Sequence, residues 1–233
     1  MDEKTLLTCL KQIKTILDRH SITYWLDTGT LLGAVREKRF LPWDYDVDLG
    51  AWFADAPKIV ALSNEFQNLG FDVCFFDFKH YIKLVKPSCE IDINLYVIQN
   101  NKATRDWFSH GLFGRIIDYL LWITIIQHPQ VKKTPLPLSL TTILHRIFHL
   151  LPRGLKRAKF RFLQSLYINV AAKKISIEIP KSFFTTLTKI KFYKMVFHAP
   201  QKTEDYLKYR YGADWKTPKK DYIFTKDDQS IIA

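Results

Sequence analysis

The order of elements in the first hundred residues predicts an α+β domain, with helices flanking a small mixed β-sheet. Three observations carry that expectation. An amphipathic helical pattern opens the chain, two further helical segments alternate with short β-prone runs, and three strand-like runs then follow in succession. The 233 residues suit one substantial domain carrying a large insertion. With 47% hydrophobic and 15% aromatic residues, a packed core is expected and global disorder is not.

Leu6, Leu10, Ile13 and Leu17 recur at helical spacing, so residues 1–19 read as an amphipathic helix ended at His20-Ser21. Residues 22–26 form a short β-prone run. Next comes a glycine-rich turn in which Gly29 permits close backbone approach, then a short helix over 30–35. Residues 39–42 turn the chain, and 46–52 form a strand. Asp55 or Ala56 caps the next helix, with Pro57 in its first turn and Gly70 closing it. Ile59, Leu62, Phe66 and Leu69 supply its buried face. Residues 71–76, 81–86 and 90–97 are the three strands.

A mainly helical, basic insertion is expected over about 101–199. Ile116, Leu120 and Ile123 fit a helix before breaks at Pro129, Pro135 and Pro137. Residues 139–151 place Leu140, Ile143, Leu144, Ile147, Phe148 and Leu151 on one helical face, and 153–174 continue as a basic helix studded with aromatics. Residues 182–197 carry no clear period. Thr203 is placed to cap a last helix running to Tyr211 and ended by Gly212.

The net charge of +12 is unevenly spread. Residues 131–200 hold fourteen Lys and Arg against the single acid Glu178, so a near-neutral frame carries one strongly basic block. Such asymmetry points to an anionic partner: a membrane surface, a phosphorylated lipid or glycan, or nucleic acid. Basic residues alternate with apolar and aromatic ones over 151–162, which suits an amphipathic helix at an anionic membrane surface, so residues 139–174 are the expected contact. A helical cap with a solvated basic face is the alternative. No nucleic-acid motif accompanies the charge, so nucleic acid ranks last. Cys9, Cys74 and Cys89 have neither metal-ligand spacing nor a disulfide framework and read as buried free thiols of a reducing compartment. The charged start Met1-Asp2-Glu3-Lys4 does not read as a signal peptide, and no stretch approaches the ~20 apolar residues of a membrane span. A cytoplasmic protein at the inner face of a membrane is expected.

Asp44, Asp46 and Asp48 alternate with other residues in Pro42-Trp43-Asp44-Tyr45-Asp46-Val47-Asp48-Leu49. On an extended strand, side chains at i and i+2 share a face, so Asp46 and Asp48 point the same way with Asp44 at the strand entrance. Like charges that close raise one another's pKa unless a cation lies between them. A hard divalent ion, Mg²⁺ or Mn²⁺, is the simplest explanation. Asp92, flanked by Ile91 and Ile93, either completes a three-carboxylate metal site or sits in solvent on an edge strand. A solvated acidic turn is the alternative for the Asp46/Asp48 pair, but Trp43, Val47 and Leu49 around it look buried.

The run Gly29-Thr30-Leu31-Leu32-Gly33-Ala34-Val35-Arg36, followed by Pro42-Trp43-Asp44-Tyr45-Asp46-Val47-Asp48, resembles the LicD/fukutin family of the nucleotidyltransferase superfamily. A second block, Tyr206-Leu207 and then Tyr211-Gly212-Ala213-Asp214-Trp215-Lys216-Thr217-Pro218, is similar to that family's C-terminal part. The resemblance covers about 22–98 and 200–218 and implies one nucleotidyltransferase-like domain, its core at about 1–100 plus 200–218. Where many members carry a further acid, this chain has Tyr45.

The resemblance further implies metal-dependent transfer of a phospho-substituent, phosphocholine or a polyol phosphate such as ribitol phosphate, from a CDP-activated donor. The acceptor would be a hydroxyl of a cell-surface glycan or lipid-linked glycan, as in lipopolysaccharide or teichoic acid biosynthesis, with CMP released. Asp46 and Asp48 would hold Mg²⁺ (or Mn²⁺) against the diphosphate. Asp92 would be a metal ligand or the base for the attacking hydroxyl, and the two stay open. Gly29 and Thr30 would approach phosphate oxygens, Arg36 would bind phosphate as a fork or pair with Asp44 or Asp27, and Lys83 would contact phosphate or face solvent. Asp44 takes a supporting or phosphate-proximal role. Tyr211, Asp214 and Trp215 would support the site structurally or shape the donor pocket. Transfer of NMP to a small acceptor, and an inactive membrane-binding adaptor on the same fold, are the alternatives.

Overall fold

A computed structural model describes residues 3–76, 80–87, 89–122 and 152–232, together with Ile143, Ile147 and Leu150. The opening helix α1 (Glu3–Arg19) buries Leu6, Cys9, Leu10, Ile13, Ile16 and Leu17, the one-sided stripe its period demands. It packs onto a sheet of eight strands. Along its main path the order is β1 (Tyr24–Leu26), β2 (Val47–Trp52), β5 (Cys89–Gln99), β6 (Lys102–His110), β7 (Ala172–Pro180) and β10 (Ile231–Ile232). Strand β4 (Tyr81–Lys86) also pairs with β5 and carries β3 (Asp72–Phe76) on its far side. The β2/β5 pair is parallel and the other pairs are antiparallel. A separate hairpin, β8 (Leu187–Phe192) with β9 (Met195–Pro200), lies against β1.

The expected mixed α+β architecture is present, with several departures. Gly29 sits not in a turn but inside helix α2 (Thr28–Leu32), which continues as a wider π-helical turn, Gly33–Glu37. Asp46 precedes β2 rather than opening it, so the expected 46–52 strand begins one residue later. The single helix expected after Asp55 is two, α3 (Ala56–Ala61) and α4 (Ser63–Asn68), broken at Leu62.

The expected helical insertion also carries strands among its described residues: β6, β7, β8 and all of β9 but Pro200 fall within 101–199. Asn100 and Asn101, both at positive φ, make the two-residue turn that folds β6 back on β5. Strand β7 then pairs with β6 along its whole length, and residues 172–174, expected in a basic helix, open that strand. Helices α5 (Leu112–Trp122) and α6 (Arg153–Leu166) close a second, smaller core around Phe76, Tyr81, Phe108, Ile117, Leu121, Leu163 and Tyr167. The helix expected over 139–151 lies outside the described residues apart from Ile143, Ile147 and Leu150.

Helix α7 (Thr203–Tyr211) ends at Gly212 as expected, at a φ of 90° that a side chain rarely adopts. Its N-cap position is Lys202, and the Thr203 hydroxyl donates backward to the Pro200 carbonyl (2.7 Å) instead of capping. All three cysteines are free and buried. No helix among the described residues is long and apolar enough to cross a membrane.

Candidate active site

A cleft of about 780 Å³ opens at the start of the parallel β2/β5 pair. Asp44, Asp46, Asp48 and Asp92 line it, with Thr28 and Gly29 from α2 and Arg36 from the π-turn. Strand register places Asp48 beside Asp92 on adjacent strands. One oxygen from each of Asp44, Asp46 and Asp48 lies within 4.8 Å of the others, and no other such group of three potential ligands converges among the described residues. The turn at Pro42-Trp43 brings Asp44 back over α2, which is why it joins Asp46 and Asp48.

Gly29 makes that approach possible. A Cβ built on Gly29 would lie 2.2 Å from Asp44 Oδ2 and 3.6 Å from Asp48 Oδ2. The close approach inferred from the sequence is therefore made by a carboxylate of the chain itself. Gly29→Ala should keep the fold, since the clash is with a side-chain end, and lower turnover by roughly a hundredfold as Asp44 is pushed aside. Unchanged activity with an unchanged melting curve would remove Asp44 from the site.

The electrostatics are those of like charges crowded into a buried site. Burial, then the charges of Asp46 and Asp92, push Asp44 up to about 8. Asp48 is raised well above the carboxylate range by burial and by Asp46, Asp44 and Asp92, with the Thr28 hydroxyl opposing. Asp92 is pushed up to about 6, burial outweighing the counter-charge of Lys83. Three hard oxygen donors at this separation fit a divalent cation of the Mg²⁺ or Mn²⁺ kind.

A pH dependence follows with a definite sign. These three carboxyls hold protons more tightly in the folded than in the unfolded chain, whose aspartates ionise near pH ~4. Without a bound cation, stability should therefore fall as the pH rises from ~4 towards the Asp44 value of about 8. Added Mg²⁺ should flatten that decline. Melting curves across pH, with chelator and with Mg²⁺, measure both effects, and a flat profile in chelator would contradict the clustering.

The remaining expected residues fall into place differently. Thr30 does not line the cleft: it is buried, and its hydroxyl accepts from the Asp48 backbone N–H (2.8 Å), fixing the start of β2. Lys83 neither faces solvent nor lines the cleft. Its ammonium lies 2.8 Å from Asp92 Oδ1 and 3.0 Å from Glu90 Oε2, and those charges outweigh the effect of its burial. Asp92 is on a central strand, not an edge. Arg36 pairs with neither Asp44 nor Asp27: Nε donates to Glu37 (2.9 Å) and Nη1 to the Trp215 carbonyl (3.0 Å), while Nη2 is buried at the cleft wall with no partner among the described residues.

Several lining residues were not anticipated as site residues. Arg105 and Trp107 reach the cleft from β6, the guanidinium of Arg105 lying 5.8 Å from the Tyr96 ring and 5.6 Å from the Trp107 ring. The alternation of Ala103, Arg105 and Trp107 was the available signal. Lys219, Lys220, Tyr222, Phe224 and Lys226 add basic and aromatic groups from the C-terminal segment; Tyr211, Asp214 and Trp215, expected at the site, also line the cleft.

Against known proteins, the LicD/FKTN/FKRP nucleotidyltransferase-domain family matches residues 21–135. That segment belongs to the LicD family. All four cleft aspartates, Arg36, Lys83 and Arg105 lie inside the LicD segment, whereas the C-terminal block around Tyr211 lies outside it. An uncharacterised protein of Rickettsia prowazekii, RP689, is 28% identical over 98 residues, 42% of this chain and 35% of that protein. The human ribitol 5-phosphate transferase FKRP is 50% identical over 40 residues, 17% of this chain and 8% of that protein. The lipopolysaccharide cholinephosphotransferase LicD of Haemophilus influenzae is 44% identical over 43 residues, 18% of this chain and 16% of that protein. The match to the Rickettsia proteins RP689 and RT0683 spans about a third of their length. Among solved structures, the antibiotic-resistance factor ANT(2'')-Ia gives a TM-score of 0.36 at 14% identity, covering 72% of this chain and 95% of that one.

Proposed function

We propose that this chain is a metal-dependent transferase that moves a phospho-substituent, phosphocholine or a polyol phosphate, from a CDP-activated donor to a hydroxyl of a glycan or glycolipid. The observation that carries this reading is the convergence of Asp44, Asp46 and Asp48 beside Asp92 in one cleft of a LicD-family segment. The partial likeness to a ribitol 5-phosphate transferase and to a cholinephosphotransferase supports the substrate class. The same family match, to a nucleotidyltransferase domain, supports a nucleotidyltransferase-like core.

Asp44, Asp46 and Asp48 would hold the cation, with Asp92 beside them as a further candidate. Such an ion neutralises charge on the diphosphate and the departing CMP. The chain's own residues do the rest. Arg36 would offer a phosphate oxygen its buried Nη2, which has no partner among the described residues. Arg105 and the cleft lysines Lys220 and Lys226 add positive charge along the wall a nucleoside diphosphate would follow. Asp92 lines the cleft, and with its pKa near 6 it is ionised at neutral pH and able to accept a proton from an attacking hydroxyl. Lys83 has a different task from phosphate binding: its ion pair fixes the Asp92 carboxylate from behind.

Purified protein should be stabilised by one of CDP-choline, CDP-ribitol or CDP-glycerol with Mg²⁺, by about 2.7 kcal/mol when that donor is at a hundred times its Kd. With acceptor present, the same donor should release CMP. Pyrophosphate release from a nucleoside triphosphate would assign NMP transfer instead. Silence with every donor and triphosphate would favour an inactive adaptor.

A further inference from the structure

The block from Tyr211 to Trp215 and the segment after it build a cleft wall that the transfer chemistry leaves unused. Tyr211 and Tyr222 stand with ring centroids 5.1 Å apart and planes tilted by 46°, an aromatic shelf on the cleft lining. The Tyr222 hydroxyl is buried and has no hydrogen-bond partner among the described residues. A buried polar atom left open in this way marks where a ligand would complete the site. Beside the shelf two polar side chains of the cleft lining converge. A Cβ built on Gly212 would lie 3.0 Å from Gln229 Nε2 and 3.2 Å from Asp214 Oδ1, so the glycine leaves room for both groups at one point. Their backbones are pinned. The Gln229 N–H donates to the Arg210 carbonyl (2.9 Å), and the Asp214 carbonyl accepts from the Thr217 N–H (2.7 Å). Neither side chain makes a hydrogen bond or ion pair among the described residues.

The polarity of this pocket decides what it would take. Aromatic faces hold planar rings. An ionised carboxylate only accepts a hydrogen bond, and an amide NH₂ only donates one. A ring that carries an amino group beside an unprotonated ring nitrogen satisfies both together. Cytosine and adenine present that edge. Uracil and guanine present its reverse, a carbonyl beside a ring N–H, which would set oxygen against carboxylate and N–H against N–H. A cationic ligand is opposed by Lys219, Lys220 and Lys226 in the same cleft. The place of the pocket suits the base end of a nucleotide. Arg36 Nη1 donates to the Trp215 carbonyl (3.0 Å), so the guanidinium proposed for phosphate adjoins the residue next to Asp214. We propose that Asp214 and Gln229, beside the Tyr211/Tyr222 shelf, read the nucleobase of the donor and select the amino-bearing edge of cytosine or adenine over that of uracil or guanine. This rests on the transferase reading, because it assigns the other end of the same nucleotide.

Titration calorimetry of the full chain with CMP, UMP, AMP and GMP in Mg²⁺ tests this with neither acceptor nor transferred group present. CMP, AMP or both should bind at least about tenfold more tightly than UMP and GMP, since the wrong edge leaves the polar pair unmatched. The ratio of CMP to AMP affinity then tells which ring the pocket fits. Asp214→Asn/Gln229→Glu exchanges the accepting and donating sides of the pocket. The double variant should reverse the preference, so that UMP binds more tightly than CMP. Both side chains are exposed, so its melting temperature without nucleotide should match that of the parent. Equal affinity for CMP and UMP, or an unchanged preference in the double variant, would overturn the base assignment. CMP release from a CDP-activated donor would still be seen in that case, and the transferase reading would stand. Failure of all four nucleotides to bind would overturn both.

Discussion

Asp48→Asn should sharply lower turnover and at the same time make the cation-free protein more stable. Asp48 sits at the centre of the cluster, beside Asp92 across the strand pair and within reach of Asp44 and Asp46. Its ionised form is opposed first by burial and then by each of those carboxylates. An amide of the same shape keeps the packing and the backbone bond to Thr30, since the donor there is the Asp48 main-chain N–H. What is lost is the charge. Turnover should fall roughly a thousandfold, the scale on which a preorganised electrostatic group contributes to a transition state. What is gained is relief from like-charge repulsion whenever no cation is bound, so the melting temperature in chelator should rise at neutral pH. The stabilisation that Mg²⁺ gives the parent protein should shrink in the variant. Measuring CMP release alongside melting curves with chelator and with Mg²⁺ separates the two roles: a variant that is inactive and also less stable in chelator would mean that Asp48 is structural.

The carboxylates were legible in the sequence because their chemistry is local. Asp46 and Asp48 stand two apart at the mouth of a strand, and Asp92 interrupts an apolar run, so strand periodicity alone suggests a shared face. Asp44 was underrated for a physical reason. Its place depends on the turn at Pro42-Trp43 and on the missing Cβ of Gly29, and no periodicity reports either. Thr30 and Lys83 lie away from the cleft lining for a related reason. Each is consumed by a partner distant in sequence or across a strand, the Asp48 N–H for Thr30 and Asp92 with Glu90 for Lys83. Helical spacing read on either side hid β6 and β7, although Asn100-Asn101 was a hairpin signal and Ile175, Ile177 and Ile179 alternate as a half-buried strand should.

The buried network around Asp27 was invisible from sequence, and it carries the largest expected effect on stability. Arg210→Met should destabilise the protein by about 3–5 kcal/mol, the scale of removing one partner from a buried ion pair. For a chain of this size each kcal/mol corresponds to roughly 2–4 °C in melting temperature. Arg210 has no exposed surface; Nε donates to Asp228 Oδ2 (3.0 Å), Nη1 to Asp27 Oδ1 (3.3 Å) and to the Tyr206 hydroxyl (3.2 Å), and Nη2 to Asp228. Asp27, equally buried, also accepts from Asn94 (3.1 Å), Tyr96 (2.8 Å) and Tyr206 (2.9 Å). Methionine would fill most of the volume and strand two carboxylates in the interior. Replacing Asp228 by Asn in the same protein should return part of the loss, and a purely additive double variant would show that the two residues are not coupled. The consequence extends to the cleft. The Asp27 backbone N–H donates to the Asp48 carbonyl (3.2 Å), and its own carbonyl accepts from Leu31 N–H (2.9 Å) at the start of α2. The network therefore holds α7 of the C-terminal block to the two elements that carry Gly29 and Asp48. Arg210→Met, assayed well below its melting temperature, should lose activity out of proportion to the fraction unfolded.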